Sequence, residues 1–538
     1  MKTMLQYIFF LVLASTLSVF AQWDDPSWSK AERNGDLAQD AFMHCRDFVR
    51  GWLSHADPQT GLIPRNLNGD DFWNAKDAAA DNYPFMVLTS SLLDQSLFHG
   101  TMRDMLATET LLTCRVGPLP DDYAFATQSF RRDHIDMPAI IFGASEYVKD
   151  GLMPLTEWLG ASPWQQRMLG LVDGILANAS VETPVGVLPA TDHEVGGEMM
   201  QILCRMYWMT GKEQYRTIAL RYGDYFLFHA SPIKVEKLSL DDHGCEVIGG
   251  LSEVYLLASF TDSERYRKYK KPMYEILDTV LKHGRNENGL FYMRIDPQSG
   301  KVYKDELTDN WGYDYNAFLT VAQVDRYEPY REAVEFALQN VHKHTGYPWE
   351  RDGSDGYADS IESGLNLLNR IPVQSAFEWV EHEIAHMLAK QGKDGVIEGW
   401  HGDGNYARTA IMFALWKTQG CRIQPWRADV SLGAIEKEGD LWISIRSKWP
   451  WKGKIVFDRP RHKEVFNMPV DYPRLNQFPE WFVVDQEQKY KVSTSINPSE
   501  KSTLTGGQLQ SGFELELPGK TERGMEGKSE ARMIIRPL

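Results

Sequence analysis

Cysteine is scarce in this 538-residue chain, and its arrangement offers neither a disulfide framework nor a metal site. Cys45, Cys114, Cys204, Cys245 and Cys421 are odd in number and include no Cys-x-x-Cys pair. Most of them fall within apolar helical patterns, where a free thiol is usually a small buried side chain. We therefore expect buried thiols, no zinc and no other bound metal.

Long apolar runs and an excess of positive charge are also missing. Beyond residue 21 no stretch reaches 18 consecutive apolar residues, so the sequence predicts no membrane-spanning segment in the mature chain. The net charge of −17 argues against a nucleic-acid partner, because a polyanion needs a broad basic surface. A single acidic sugar, held in a cleft by a few cations, is compatible with this charge.

Common cofactor and nucleophile motifs are absent too. No Gly-rich phosphate loop, Ser nucleophile elbow or His-Glu-x-x-His pattern occurs. The segment from Asp352 to Gly356 has the composition of a calcium-binding turn, but its spacing is not that of an EF-hand, and a plain turn is the preferred interpretation. We expect no cofactor.

The first 21 residues have the pattern of a signal peptide. Lys2 provides a positive start, an apolar run follows from Ile8 to Leu13, and a small-residue cleavage site ends at Ala21. We expect a secreted or periplasmic protein whose mature chain begins near Gln22.

The sequence does contain a repeated helical hairpin. The segments 213–216, 264–267 and 328–331 each open an amphipathic helix that follows a short polar turn and a more apolar helix. Between residues 36 and 418, about fourteen helices show the spacing of one buried face, which makes six to seven hairpins. Apolar helices that alternate with charged ones predict an inner ring wrapped by an outer ring. An (α/α)6-type toroid over residues 22–424 is the leading fold, and an open solenoid is the alternative.

After Cys421 the hydrophobic period changes to two. The segments Leu441 to Ile445 and Phe513 to Leu517 alternate apolar and polar residues, and Pro and Gly punctuate the runs. The sequence therefore predicts a small C-terminal β-sandwich-like domain over residues 425–538, packed on the toroid.

The loops before the inner helices are rich in carboxylates, histidine and aromatic residues. Because the N-terminal ends of inner helices collect at one mouth of a toroid, these loops should converge there, where helix N-termini also favour anions. Asp81 and Asp242 could instead be N-caps, and Glu246 could complete a capping box. The catalytic candidates are Asp81, Asp133, Asp136, Asp242, His243, Glu246, Asp309 and Tyr313. The substrate-binding candidates are Arg65, Asn82, His193, Glu194, Glu198, Trp311, Trp400, His401 and Arg408.

Two segments, Asp81 to Phe85 and Asp133 to Pro138, carry a family resemblance. The first resembles the segment that holds the first functional Asp of unsaturated glucuronyl hydrolases, and the second resembles the segment that holds their general acid/base. Asp133 and Asp136 both fit the latter position. The chain thus resembles the six-hairpin glycosidases, which include these hydrolases and an exo-acting β-glucuronidase family. The resemblance implies an (α/α)6 barrel and hydrolysis at a uronic acid, and it does not cover the C-terminal domain.

Three functions are compatible with these features. The favoured one is an exported glycoside hydrolase that removes a glucuronic or unsaturated glucuronic acid from polysaccharide-derived oligosaccharides by carboxylate acid/base catalysis. The alternative is a polysaccharide lyase that cleaves a uronate polymer by β-elimination, with Tyr313, His243 or His401 as the base. A sugar-binding protein without catalysis is the third, and the many loop carboxylates argue against it.

Overall fold

The computed structural model describes residues 22–69, 71–499, 501–517 and 529–538. The predicted signal peptide, residues 1–21, lies outside the described residues.

Helices build most of the described chain, and they pair into seven hairpins over residues 27–418. The outer helices are α1 Ser27–Ser54, α4 Thr101–Thr113, α7 Pro163–Ala177, α9 Glu213–Phe228, α11 Ser263–His283, α13 Glu328–Asn340 and α15 Gln374–Leu388. The inner helices are α2 Tyr83–Leu93, α5 Met137–Glu146 continued by α6 Met153–Leu159, α8 His193–Thr210, α10 Glu246–Thr261, α12 Trp311–Asp325, α14 Ser354–Leu368 and α16 Asn405–Thr418. The short helix α3 Gln95–His99 links α2 to α4, and π-helical turns, Ala75–Asn82 and Tyr147–Leu152, precede α2 and α6.

The inner helices form a closed ring, because each contacts the next and α16 returns to contact α2. Burial separates the two rings. Helix α10 buries every side of its turns from Val247 to Ala258, whereas α11 buries only a stripe that includes Met273, Ile276 and Val280. The predicted α/α toroid is confirmed, and none of the described helices combines the length and apolarity that a membrane crossing requires.

Short antiparallel sheets and 3₁₀ turns fill the loops of the toroid. The strands are β1 Phe72–Trp73, β2 Cys114–Val116, β3 Leu119–Pro120, β4 Tyr123–Ala124, β5 Ser129–Phe130, β6 Leu238–Ser239, β7 Tyr292–Ile295 and β8 Val302–Leu307. They pair as β1-β4-β5, β2-β3 and β6-β7-β8. The 3₁₀ turns are Gln22–Asp24, Pro232–Lys234, Asp242–Cys245, Val341–His344 and Trp349–Asp352.

Two sheets follow the toroid and share one apolar core. Their strands are β9 Arg422–Gln424, β10 Val430–Lys437, β11 Asp440–Ser447, β12 Trp451–Val456, β13 Lys489–Thr494, β14 Lys501–Thr505, β15 Phe513–Leu517 and β16 Ser529–Pro537, with short helices α17 Arg461–Glu464 and α18 Gly506–Ser511. The orders are β10-β11-β16-β13-β14 and β15-β12-β9. In β11, Leu441 and Ile443 face the shared core, while Trp442 faces the opposite side and packs with Trp28 of α1. Side chains that alternate along Leu441–Ile445 thus point to two faces of the sheet, one covered by the shared core and the other by α1.

A segment of the C-terminal region returns to the toroid and closes its second end. We call residues 471–477 the plug. Tyr472 Oη donates to Glu253 at 2.8 Å, and Arg474 donates to Glu157 at 2.8 Å. Glu253 lies two turns into α10, and Glu157 lies in the last turn of α6, so both are away from the helix N-termini. The plug therefore enters from the end opposite the N-terminal mouth.

The five cysteines are free, as the sequence predicts. Cys45, Cys204, Cys245 and Cys421 are buried, and Cys114 is half-buried.

Candidate active site

The N-terminal ends of the inner helices surround a cavity of about 650 Å³, which we call the cleft. The sheet β6-β7-β8 forms one wall, and the loop before α16 forms another. Carboxylic acids dominate its lining. They are Asp77, Asp81, Glu146, Glu194, Asp241, Asp242, Glu306, Asp309, Glu350, Asp355 and Asp359.

Three carboxyl groups of the cleft have pKa values above those of ordinary carboxylic acids. Burial, reinforced by the charge of Asp359, raises the pKa of Asp355 to about 6. Burial and the charge of Asp355 raise the pKa of Glu350 to about 7. The pKa of the buried Asp309 also lies well above its ordinary value, because burial and Asp359 both oppose ionisation. These groups can donate protons at physiological pH.

The part of the cleft around Asp77 and His401 has the opposite electrostatics. Asp77 accepts hydrogen bonds from Asn74 at 2.6 Å and from Arg65, and its Oδ1 lies 3.8 Å from His401 Nε2. Burial alone would raise the pKa of Asp77, but His401, Asn74 and Arg65 together outweigh burial, so the pKa lies below its ordinary value. Asp81, one turn later, lies 3.6 Å from the same imidazole nitrogen. This part of the cleft therefore holds an ionised carboxylate.

The backbone is strained where it borders the cleft. Glu350, Arg351 and Asp352 have φ values of 42°, 60° and 67°, and Asp242 has 46°. Non-glycine residues pay about 1 kcal/mol or more for the left-handed region, and such residues concentrate at functional sites. Glu350, Arg351 and Asp242 all line the cavity.

Beneath the cleft, the buried guanidinium of Arg408 lies in a hydrogen-bonded network, which we call the floor. Arg408 donates to Asp359 at 2.6 Å and lies 2.8 Å from Glu362. Tyr313 Oη donates to Glu362 at 2.7 Å. The tip of the plug, Asn476, completes the network, since its Oδ1 accepts from Arg408 at 2.8 Å and its backbone N–H donates to Glu362 at 2.7 Å.

The comparisons with known proteins concern the fold. No family model matches the sequence, and no curated protein matches it. Among solved structures, the α-1,6-mannanase GH76A from Salegentibacter sp. HEL1_6 aligns at a TM-score of 0.41 and 14% identity, over 57% of this chain and 95% of that chain. An unsaturated glucuronyl hydrolase from Bacillus sp. GL1 aligns at 0.37 and 12%, over 53% and 86%. The cellobiose 2-epimerase from Bacillus thermoamylovorans B4167 aligns at 0.40 and 11%, over 58% and 97%. At TM-scores below 0.5, this likeness carries no argument about substrate or reaction.

Several residues that the sequence singled out line the cleft together. Among the catalytic candidates these are Asp81, Asp242 and Asp309, and among the binding candidates they are Glu194, Trp400 and His401. Trp400 leaves 79% of its surface exposed, an unusual fraction for a tryptophan. Arg65 lies beside them, with its guanidinium carbon 5.3 Å from the Trp400 ring.

Other candidates lie below or beside the cleft as buried structural groups. Glu246 pairs with Lys149 and accepts from Gln201, so it belongs to a buried ion pair rather than to a capping box. Trp311 Nε1 donates to Ser360 at 3.0 Å inside the core. Tyr313 and Arg408 belong to the floor, while Asn82 and Glu198 are fully buried.

The remaining candidates lie away from the cleft lining. Asp133 is exposed, and Asp136 caps α5 by accepting from Ala139 N at 3.3 Å while it pairs with Arg132. His193 is half-buried against Phe226. The side chain of His243 lies outside the described residues. The catalytic role that the resemblance implies for Asp133 or Asp136 stays a prediction.

Sequence reasoning assigned no role to Asp77, Glu350, Asp355 or Asp359, although all four line the cleft. Asp77 stands one turn before Asp81, and Asp359 stands one turn after Asp355, so acids four residues apart are the sequence signal for both. Asp355 lies within the segment from Asp352 to Gly356, for which a plain turn is the preferred interpretation, and Glu350 lies two residues before that segment. The left-handed backbone at 350–352 is indicated by no sequence pattern there.

Two groups, one in the cleft lining and one that extends from the lining into the core, have atoms spaced for a cation. The potential ligand atoms of Asp77, Asp81 and His401 lie within 4.8 Å of one another, and those of Glu146, Glu194 and Glu198 do likewise. Carboxylate and imidazole donors suit several divalent cations.

Proposed function

We propose that this protein is an exported glycoside hydrolase that removes a uronic acid from polysaccharide-derived oligosaccharides. The observation that carries the proposal is the opposite pKa shift of carboxyl groups in one cavity. The pKa of Asp355 is raised to about 6 and that of Glu350 to about 7, whereas the pKa of Asp77 lies below its ordinary value. Hydrolysis of a glycosidic bond needs one protonated and one ionised carboxyl group on either side of that bond.

In this proposal Asp355 is the general acid and protonates the leaving oxygen. Asn405 donates to its Oδ1 at 2.9 Å, which leaves the other oxygen to carry the proton. Burial and the charge of Asp359 keep the pKa of Asp355 high, because both oppose ionisation.

The second carboxylate in this proposal is Asp81, which activates water or attacks the anomeric carbon. It lines the cavity one turn after Asp77 and lies 3.6 Å from His401 Nε2. Asp77 then serves to hold His401 and to keep this part of the cleft negative.

Cations and an aromatic ring support a uronic acid as the substrate. Trp400 offers an exposed face on which a sugar can stack. Arg294 and Lys304 reach the cavity wall and can bind a carboxylate, although carboxylates outnumber cations in the cleft. The substrate carboxylate would lie near these cations, away from Asp355.

In the lyase alternative, His401 would act as the base, and it does lie in the cleft. Tyr313, another of the three bases proposed for the lyase, is poorly placed for that role. Tyr313 is buried and donates its proton to Glu362, and burial holds the pKa of the phenol well above its ordinary value. Removing the proton from such a group is costly. This observation favours hydrolysis over β-elimination.

A spectroscopic assay tests the proposal. The mature protein is incubated with glucuronyl oligosaccharides that carry either a saturated or an unsaturated terminal uronic acid. A hydrolase releases free uronic acid from the saturated substrate without new absorbance, and it removes the C4=C5 absorbance of the unsaturated one. An increase of that absorbance on a saturated polymer would establish the lyase instead.

A further inference from the structure

A second cavity of about 640 Å³ adjoins the cleft, and we call it the basic chamber. The two cavities share Lys76, Asp77 and Trp400 in their linings, so they are neighbouring parts of one groove. Strand β1, the loop before α5 and the first turn of α5 form its walls. A sugar chain with one residue in the cleft can therefore extend into the chamber.

The balance of charge reverses between the two cavities. Eleven carboxylic acids and four Lys or Arg residues line the cleft, whereas three carboxylic acids and four Lys or Arg residues line the chamber. Two of the chamber's acids are already paired: Asp121 with Arg115 at 2.8 Å, and Asp77 with Arg65. The third, Asp122, lies 3.9 Å from Arg131. Arg132 also has a partner, since it lies 3.2 Å from Asp136, which is outside the chamber lining. The chamber cation without a carboxylate partner among the described residues is therefore Lys76.

Aromatic rings hold three of these cations in place. The Arg131 guanidinium carbon lies 4.0 Å from the centre of the Phe72 ring, the Lys76 ammonium lies 4.7 Å from that of Phe142, and Arg65 lies over Trp400. A cation on a ring face is fixed in position yet keeps N–H groups free to bind an anion. Lys76 forms no ion pair with any carboxylate in the part of the chain that the structure describes.

We propose that the basic chamber is a subsite for an anionic group, a sulfate ester or a carboxylate, on the sugar next to the one that is removed. Lys76 binds this group at the junction of the two cavities, and Arg132, whose side chain is 39% exposed, binds it from the far wall. The inference rests on the proposed hydrolase function, because it names the second sugar of that substrate. It adds that the enzyme selects oligosaccharides with charge on both of the last two residues.

Three matched substrates test the subsite. Each carries the same terminal uronic acid, and the second sugar carries a sulfate, a carboxylate or neither. We expect the wild-type protein to cleave at least one charged substrate with a kcat/KM about tenfold above that of the neutral one, since a hydrogen bond to a charged group contributes that much. Whichever anion gains this factor is the ligand. Equal rates on all three would overturn the inference and leave the hydrolase proposal intact.

The variant Lys76→Met tests whether the chamber contributes to substrate preference separately from the cleft. Methionine keeps the packing on Phe142 and removes the charge, so the tenfold preference for the charged second sugar should disappear. If Lys76 served only the terminal uronic acid, all three rates would fall equally and the preference would persist, which would overturn the inference. Lys301→Met is the matched control, since Lys301 also lies over an aromatic ring, 4.5 Å from Tyr303, outside both cavities. It should retain the preference.

Calorimetry separates a failure of the subsite from a failure of the hydrolase. The sulfated and carboxylated oligosaccharides are titrated into the wild-type protein and into Lys76→Met at low and high salt. We expect about tenfold weaker binding by the variant at low salt and a smaller difference at high salt, because salt screens exposed charges. Binding that behaves in this way without turnover would refute the hydrolase and support the subsite. Equal binding by both proteins would refute the subsite, whatever the turnover.

Discussion

The substitution Asp355→Asn should lower the catalytic rate and raise the free energy of unfolding at pH 7. Asparagine has the shape of a protonated aspartate and can still accept the hydrogen bond from Asn405. It cannot donate a proton to a leaving oxygen. General acid catalysis contributes about 10²–10⁴ in rate, so we expect kcat to fall by that factor. The loss corresponds to about 3–5 kcal/mol of transition-state stabilisation.

The stability effect follows from the pKa of Asp355, which rises from 3.8 to about 6 on folding. The folded state then binds more protons than the unfolded state, so the free energy of unfolding declines as pH rises through this interval. A difference of about two pKa units corresponds to at most about 3 kcal/mol at pH 7. The amide of the variant does not ionise and avoids this loss. The variant should therefore be more stable than the wild type at pH 7 and equally stable near pH 4.

Denaturant unfolding at both pH values and turnover on a glucuronyl oligosaccharide provide the measurements. The wild-type rate should decline above about pH 6 as Asp355 ionises, and this limb of the profile should vanish in any residual activity of the variant. Asp94→Ala is a suitable control, because Asp94 caps α3 by accepting from Ser96 and Leu97 N–H groups outside the cleft. That change should cost about 1 kcal/mol and leave turnover unchanged. An Asp355→Asn variant with lower stability and normal turnover would refute the assignment.

Three further predictions address the remaining candidates. Asp136→Asn should keep turnover within a few-fold of the wild-type value, since Asp136 caps α5 outside the cleft lining. A hundredfold loss of turnover in a steady-state assay would instead support the role that the family resemblance implies. Glu246→Gln should lower the free energy of unfolding by about 3 kcal/mol in denaturant, because it leaves Lys149 with Asp150 as its remaining ion-pair partner; an unchanged midpoint would contradict the buried pair. Mass spectrometry of the exported protein should find an N-terminus near Gln22, and an intact Met1 would count against export.

Hydrophobic periodicity was sufficient to predict the architecture. The buried stripe of α11 follows from the period of a helix, and the alternation in β11 follows from the period of a strand. Both patterns can therefore be recognised in the sequence without information on tertiary contacts. The closing contact between α16 and α2 joins residues more than 300 positions apart, and it was inferred only from the alternation of apolar and charged helices.

The site was only partly predictable, because capping residues and catalytic acids look alike in sequence. Asp81 and Asp136 both stand at the start of an inner helix, yet Asp81 lines the cleft while Asp136 caps α5 beside Arg132. Glu246 faces Lys149 rather than the cleft, a pairing across 97 positions that no local pattern reveals. The raised pKa of Asp355 depends on Asp359 and on burial, which the sequence does not report.

Because the plug follows all seven hairpins in the sequence, the interior of the toroid is completed late in synthesis. All seven hairpins leave the ribosome before residue 471, and until then Arg408, Glu362 and Asp150 lack the bonds that Asn476 makes to them. Arg474 likewise reaches Glu157 only after the rest of the ring has been made. A nascent chain can thus close its ring around charged groups that are still open to water. The plug then supplies the hydrogen bonds that complete the network beneath the cleft, so we expect chains that end before residue 471 to lack it.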